Sequence, residues 1–218
     1  MTLITGAAGK TGMAIIRALV KSNYEVKALI KKKEYISLLE ENNVTSYIIG
    51  NLENNKILMN ALEGISAVYH ICPNAHPNEF NIGAAIISEA KNAGVKHFVY
   101  HSVLHPQISS MPHHWNKMLV EEELINSGLK YTILQPAIYM QNVISRLQDI
   151  LNANQIKLPY SSTRRFSLVD LNDIGDVVAK VILNPKHYYA VYPLVGTQSI
   201  SYKKSLYFFL NIFPDKYA

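Results

Sequence analysis

The segment Gly6-Ala7-Ala8-Gly9-Lys10-Thr11-Gly12 limits what this chain can fold into more than any other part of it. It follows a short β-branched run at residues 2–5. It leads into a stretch carrying Met13, Ile16 and Val20 at i, i+3 and i+7, the spacing of one helix face. Glycines at such a junction let the backbone turn tightly and approach a pyrophosphate, while the amides and dipole at the helix start favour its negative charge. An isolated glycine triplet is a weak signal. At the first strand-to-helix turn of a βαβ unit it is a strong one, because that is the context a dinucleotide-binding loop requires. The competing reading is that the glycines serve only the turn.

The rest of the first half supplies that context. Short β-branched runs at residues 25–30, 45–49, 67–71, 97–101 and 131–134 alternate with helical patterns, one of them over 78–92 and stopped by Gly94. Such alternation predicts a doubly wound α/β fold with a parallel sheet and crossover helices. After Pro136 the alternation weakens. A helix is expected around 138–151, a polar loop at 161–165 and a further helix from about Asp170, together forming a small substrate-side lobe. The expected domains are a dinucleotide-binding core over 1–136 and a lobe over 137–218 interleaved with it. Asp170 and Asp173 have the spacing of an N-cap and its N3 partner, so capping is their default role. The apolar run Leu206-Tyr207-Phe208-Phe209-Leu210 must pack somewhere or aggregate.

At 218 residues and 49% hydrophobic, the chain can bury a core without disulfides. Its one cysteine, Cys72, has no internal partner in any case. The 21 basic against 16 acidic side chains leave a net charge of +5, scattered except at Lys31-Lys32-Lys33. One local cluster suits one local anion better than a nucleic acid. The start lacks the basic n-region of a signal peptide, and no apolar run approaches the ~20 residues of a membrane span. The expected location is therefore the cytoplasm, with no membrane partner.

About 20 residues past the glycines, at the end of the second strand, an NAD-binding protein usually places an acidic residue on the ribose 2′-hydroxyl. Here Lys31 stands there. With Lys10, Lys32 and Lys33 it suits a 2′-phosphate, so NADP(H) is expected in preference to NAD(H). A solvated helix start is the plainer account of the lysines. Asn51 and Leu52, closing the third strand, would lie beside the adenine; the 70–74 segment, with Cys72 and Pro73, would pass the ribose and nicotinamide.

His113, Lys117, Val120 and Leu124 share one helical stripe, while Glu121, Glu122 and Glu123 mostly point elsewhere. An inward lysine needs an anion, a dipole or a ligand; the alternative is that it snorkels to water from the edge of the stripe. No metal is expected. His97 and His101 lie about 13 Å apart along a strand, His113 and His114 diverge, and no carboxylate or cysteine stands at ligand spacing. Ser102, in His-Ser-Val, lacks the glycine-flanked turn of a hydrolase nucleophile.

Taken in order, Thr5-Gly6-Ala7-Ala8-Gly9-Lys10-Thr11-Gly12, the basic end of strand two, His101-Ser102-Val103-Leu104-His105-Pro106, residues 111–117, Ser127-Gly128-Leu129-Lys130-Tyr131-Thr132-Ile133-Leu134-Gln135-Pro136 and Tyr139-Met140-Gln141-Asn142 resemble the NmrA-like family of atypical short-chain dehydrogenases. Phe166-Ser167-Leu168-Val169-Asp170 and Tyr192-Pro193-Leu194-Val195-Gly196 extend the resemblance to about the first 200 residues. It implies a Rossmann fold with NADP(H) and reduction of quinones, dyes or related carbonyl compounds. A second implied role is a redox sensor that binds the dinucleotide and regulates a partner protein.

By position, Lys117 matches the family's active-site lysine and Ser102 the residue ending strand five. Broader relatives carry a tyrosine four residues before the lysine, where this chain has His113; that argues against sugar-nucleotide epimerase chemistry. The expected catalytic set is Lys117, Ser102 and His113. The expected cofactor contacts are Gly6, Ala8, Gly9, Lys10, Thr11, Gly12, Lys31, Asn51, Leu52, Cys72, Pro73, Lys117 and Pro136. Family members generally continue for several tens of residues, so an incomplete substrate lobe is expected. A quinone-like small-molecule acceptor is the expected partner, with a regulatory protein in the sensor reading and a homodimer left open.

Overall fold

The computed structural model describes residues 1–144, 161–201 and 203–204. Its strands, in chain order, are β1 (Thr2–Ile4), β2 (Val26–Ile30), β3 (Ser46–Ile49), β4 (Ala67–His70), β5 (His97–His101), β6 (Tyr131–Pro136), β7 (Ile138–Tyr139), β8 (Arg165–Val169), β9 (Ala190–Leu194) and β10 (Ser199–Ser201). Its α-helices are α1 (Lys10–Lys21), α2 (Ile36–Glu40), α3 (Asn55–Leu62), α4 (Glu79–Asn92), α5 (Pro112–Asn126), α6 (Met140–Ile144) and α7 (Leu171–Val181). Two compact units result. The first comprises Met1–Pro136 and Leu171–Leu194, the second Ala137–Asp170 and Val195–Ala218. Residues 171–194 thus join the first unit, although they lie in the segment that the sequence assigns to the lobe.

The first unit is built on a seven-stranded sheet of order β3-β2-β1-β4-β5-β6-β9, and every neighbouring pair in it is parallel. This is the Rossmann-type doubly wound architecture expected from the alternation. The six expected strands begin and end within two residues of those observed. On one face Leu3, Val68, Phe98 and Ile133 pack with Leu58 and Leu62 of α3, Ile86 and Ala90 of α4, and Val120 and Leu124 of α5. α1 packs against α7, where a Cβ at Gly175 would lie 2.8 Å from the Ala14 carbonyl oxygen. The Asn54 side chain caps α3, accepting from the Lys56 and Ile57 amides at 3.0 and 3.4 Å. Gly94, at φ +70°, follows the end of α4.

Three differences from expectation concern the later chain. A helix was expected from 138, but Ile138 and Tyr139 form β7 and the helix begins at Met140; Pro136 carries the chain in extended form into that strand, since a proline's ring cannot continue a helical turn. Residues 145–151 of that expected helix, and the 206–210 run, lie outside the described residues. Arg165, expected to close a polar loop, opens β8. Finally, β9 adds a seventh strand at the sheet edge, where Pro193 is tolerated because an edge strand has one side free of ladder bonds.

In the second unit β8 pairs parallel with β7 and antiparallel with β10. The Gly196 amide donates to the Leu168 carbonyl at 2.6 Å. Asp170, read as a cap, directly precedes α7, and its Oδ2 accepts from the Gln141 amide at 3.0 Å. Among the described residues no helix is long and apolar enough to cross a membrane.

Candidate functional site

Because all seven strands of the large sheet run the same way, their C-terminal ends share one edge. The strand order reverses at β1, with β2 on one side and β4 on the other; a crevice at that point is where ligands of open α/β sheets bind. The glycine loop stands there. Gly6 adopts φ +59°, and a Cβ on it would lie 2.8 Å from Ile71 Cγ2. A Cβ on Gly12 would collide with the carbonyl oxygens of Gly6 and Ala7. The Gly9 amide closes the turn onto Gly6 O at 3.1 Å. Gly9 precedes α1, no side chain caps that helix, and its first turn holds no acidic residue. Its first-turn amides have no intrahelical acceptor and point with the positive end of the dipole toward the edge. Thr11 and Gly12 are buried, Ala8 is half-buried, and Gly9 and Lys10 are exposed.

β2 runs parallel beside β1, with Ile4 opposite Ala28, and Lys31 follows Ile30, the last residue of β2, at the same edge of the sheet. Lys31 and Lys33 are exposed, whereas Lys32 pairs with Glu34 at 3.2 Å. Asn51 is engaged locally. Its Nδ2 donates to Glu53 at 3.1 Å and its Oδ1 accepts the Glu53 amide at 3.3 Å. Glu53 also accepts from Asn78 at 2.7 Å; this bond first, then the Asn51 bond, holds its carboxyl below the ordinary range. Leu52 packs against the core. Cys72 is buried, which pushes its thiol up to about 12, so it is inert near neutrality. Pro73 is exposed, and Pro136 is buried with its carbonyl accepting the Leu104 amide at 2.9 Å.

Beyond β4, toward the end of β5, the same edge holds buried charge. Lys117, 5% exposed, has the expected inward position. Its Nζ donates to Glu79 Oε1 at 2.6 Å and to the His101 carbonyl at 3.1 Å, and lies 5.4 Å from the centre of the Tyr100 ring. Glu79, 1% exposed, opens α4, where the helix dipole favours its negative charge. Tyr100 donates to the same Oε1 at 3.4 Å. His113 Nδ1 stands 3.4 Å from Glu79 Oε2, yet neither atom has a hydrogen-bond partner among the described residues. Burial first, then the Lys117 charge, pushes the His113 pKa down. Ser102 donates to Glu121, whose two oxygens also accept the Gln135 amide at 3.0 Å each. Burial raises the Glu121 carboxyl.

Residues 1–209 match the model of the NmrA-like family. The chain belongs to that family. Over 203 residues this NmrA-like chain is 30% identical to the NAD(P)H azoreductase of Xenophilus azovorans, covering 92% of the chain and 70% of the relative. It is 27% identical to the Photosystem II assembly factor Ycf39 of Cyanophora paradoxa, covering 90% and 64%, and 25% identical to the Quinone oxidoreductase 2 of Escherichia coli, covering 90% and 68%. It therefore spans about two thirds of the length of these relatives. Among solved structures, triphenylmethane reductase of Citrobacter sp., complexed with NADP(H), superposes with a TM-score of 0.85 at 21% identity, over 97% of this chain and 75% of that one. The NADPH complex of an E. coli quinone oxidoreductase gives 0.85 at 22%, over the same shares. These two likenesses show the fold.

Within the NmrA-like fold the three expected catalytic residues are divided between two carboxylates. Lys117 and His113 meet Glu79; Ser102 meets Glu121. Glu121, expected to face away from Lys117's stripe, is instead buried at 4% exposure. It lies one turn beyond Lys117 and the Ser102 hydroxyl and Gln135 amide draw it inward. The i, i+4 spacing with Lys117 carried that signal. Glu79 carried none, because only the packing of α4 on α5 brings it to Lys117, 38 positions away. The structure also gathers His70, whose Nδ1 shares a hydrogen bond with Thr5 Oγ1 at 2.9 Å, just before the glycine loop.

Proposed function

We propose that this chain binds NADP(H) in preference to NAD(H) along the C-terminal edge of its large sheet and reduces a quinone-like or other electron-poor small molecule. The observation that carries the reading is the uncapped start of α1 behind a glycine loop at the point of strand-order reversal. Gly6 and Gly12 let the loop close against Ile71 and its own carbonyls, where a Cβ has no room, and exposed Gly9 presents bare backbone before α1, which fits a pyrophosphate. Lys10 and Lys31 are the exposed cations best placed for a 2′-phosphate. Relatives described as an NAD(P)H azoreductase and a quinone oxidoreductase support the reaction class.

When bound, the reduced dinucleotide supplies a hydride, and the protein's part is to position and to manage charge. Lys117 would hold the ribose and place a charged N–H beside the reacting edge. His113 is held mostly neutral near pH 7 by burial and the lysine. Ser102 has its proton committed to Glu121. The proton that completes reduction of the acceptor would then come from Lys117 or water.

A second reading, a dinucleotide-sensing regulator of a partner protein, is favoured by the relatives described as Photosystem II assembly factors. Titration with NADPH and NADH, followed by a panel of quinones and azo dyes, tests both. Tighter NADPH binding with acceptor-dependent oxidation supports the reductase. Binding without turnover supports the regulator, and binding of neither nucleotide overturns both.

A further inference from the structure

The Glu79–Lys117 pair follows from a close contact between two helices. A Cβ on Gly83 would lie 2.6 Å from Val120 Cγ2, so α4 and α5 touch where α4 lacks a side chain. One turn toward each N-terminus, Glu79 and Lys117 meet at 2.6 Å. A buried ion pair kept only for packing has its remaining lone pairs satisfied. Here Glu79 Oε2 and His113 Nδ1 are both buried and both lack a hydrogen-bond partner among the described residues.

We propose that Glu79 is a positioning residue: one carboxylate oxygen fixes the Lys117 ammonium at the ends of β4 and β5, while the other faces His113 Nδ1 at 3.4 Å. The proposal rests on the dinucleotide-binding reading above. The titratable groups facing Glu79 are Lys117 and His113 from α5, Tyr100 from β5 and Cys72 after β4. Burial pushes the Tyr100 phenol up and the Cys72 thiol to about 12, so both stay neutral. Lys117 is the cation that answers the carboxylate.

Glu79→Gln keeps the shape and removes the charge. In the full chain it should lower kcat by about tenfold with little change in acceptor KM. The 15N signal of the Lys117 ammonium, slow to exchange in the wild type, should vanish. Glu79→Asp, one methylene short, should fall between the two. A folded Glu79→Gln protein with a wild-type kcat overturns the proposal, as does persistence of the ammonium signal. If Glu79→Gln does not fold, Glu79→Asp decides by the same readings. If the wild type binds NADPH without turnover, the reductase reading fails alone. Glu79→Gln must then lose the ammonium signal and weaken NADPH binding in the same direction as Lys117→Met does, or the proposal fails as well.

Discussion

Lys117 and Glu79 show why a buried charge is a strong constraint at the scale of a residue. Removing one partner leaves the other without compensation, so Glu79→Ala should cost about 3–5 kcal/mol in urea unfolding, while Glu79→Leu with Lys117→Met should recover most of it. Histidines make stability depend on pH. Burial, followed by nearby positive charge, holds His70 and His101 at about 3, and burial with His187 holds His97 at about 4. Each is neutral when folded and binds a proton near pH 6.5 when unfolded. Their contribution is therefore complete above that value and lost progressively as pH falls toward 3–4, each steepening the fall by up to about 1.4 kcal/mol per pH unit. Glu121, its carboxyl raised by burial, works in the opposite direction. Urea midpoints flat above pH 7 and falling below it would bear this out; midpoints unchanged down to pH 5 would refute it. Lys31→Glu should reduce the NADPH-over-NADH preference by about tenfold, since it sets a like charge against the 2′-phosphate; an unchanged ratio would mean that Lys31 is merely solvated.

At the scale of elements, glycines set the spacing. Gly83→Ala should push α4 from α5 and cost about 1–3 kcal/mol, as overpacking does, and Val120→Ala should relieve part of it because Val120 is the side chain in the way. A denaturation series of the two single variants and the double one measures that coupling. The same spacing explains what was legible in the sequence. β1 to β6 announce themselves because each is a β-branched run bounded by turn residues, and α1 and α4 because their apolar faces repeat. β9 was hidden by Pro193 in a run that reads as irregular, and β7 because two residues carry no periodicity. Lys117's inward face was legible from its stripe, but its partner was not. Glu79 shares no local pattern with it, and only the absence of a side chain at Gly83 brings the two helices close enough.

For the whole molecule, binding should register as stability. NADPH at about one hundred times its dissociation constant should add about 2.7 kcal/mol, raising the unfolding midpoint by about 5–10 °C. NADH at the same concentration should raise it less; equal shifts would argue against the preference. That gain would be spread over a sheet whose chain is not continuous: it leaves the first unit after Pro136 and returns at Leu171 to supply α7 and β9. This return orders events on the ribosome. Until Ala190–Leu194 clear the exit tunnel, β6 is an edge with unpaired amides and carbonyls, and until Gly175 emerges Ala14 and Ala18 of α1 have no helix to cover them. A nascent chain that already holds the complete glycine loop thus still exposes that edge and that helix face until residues 171–194 follow it.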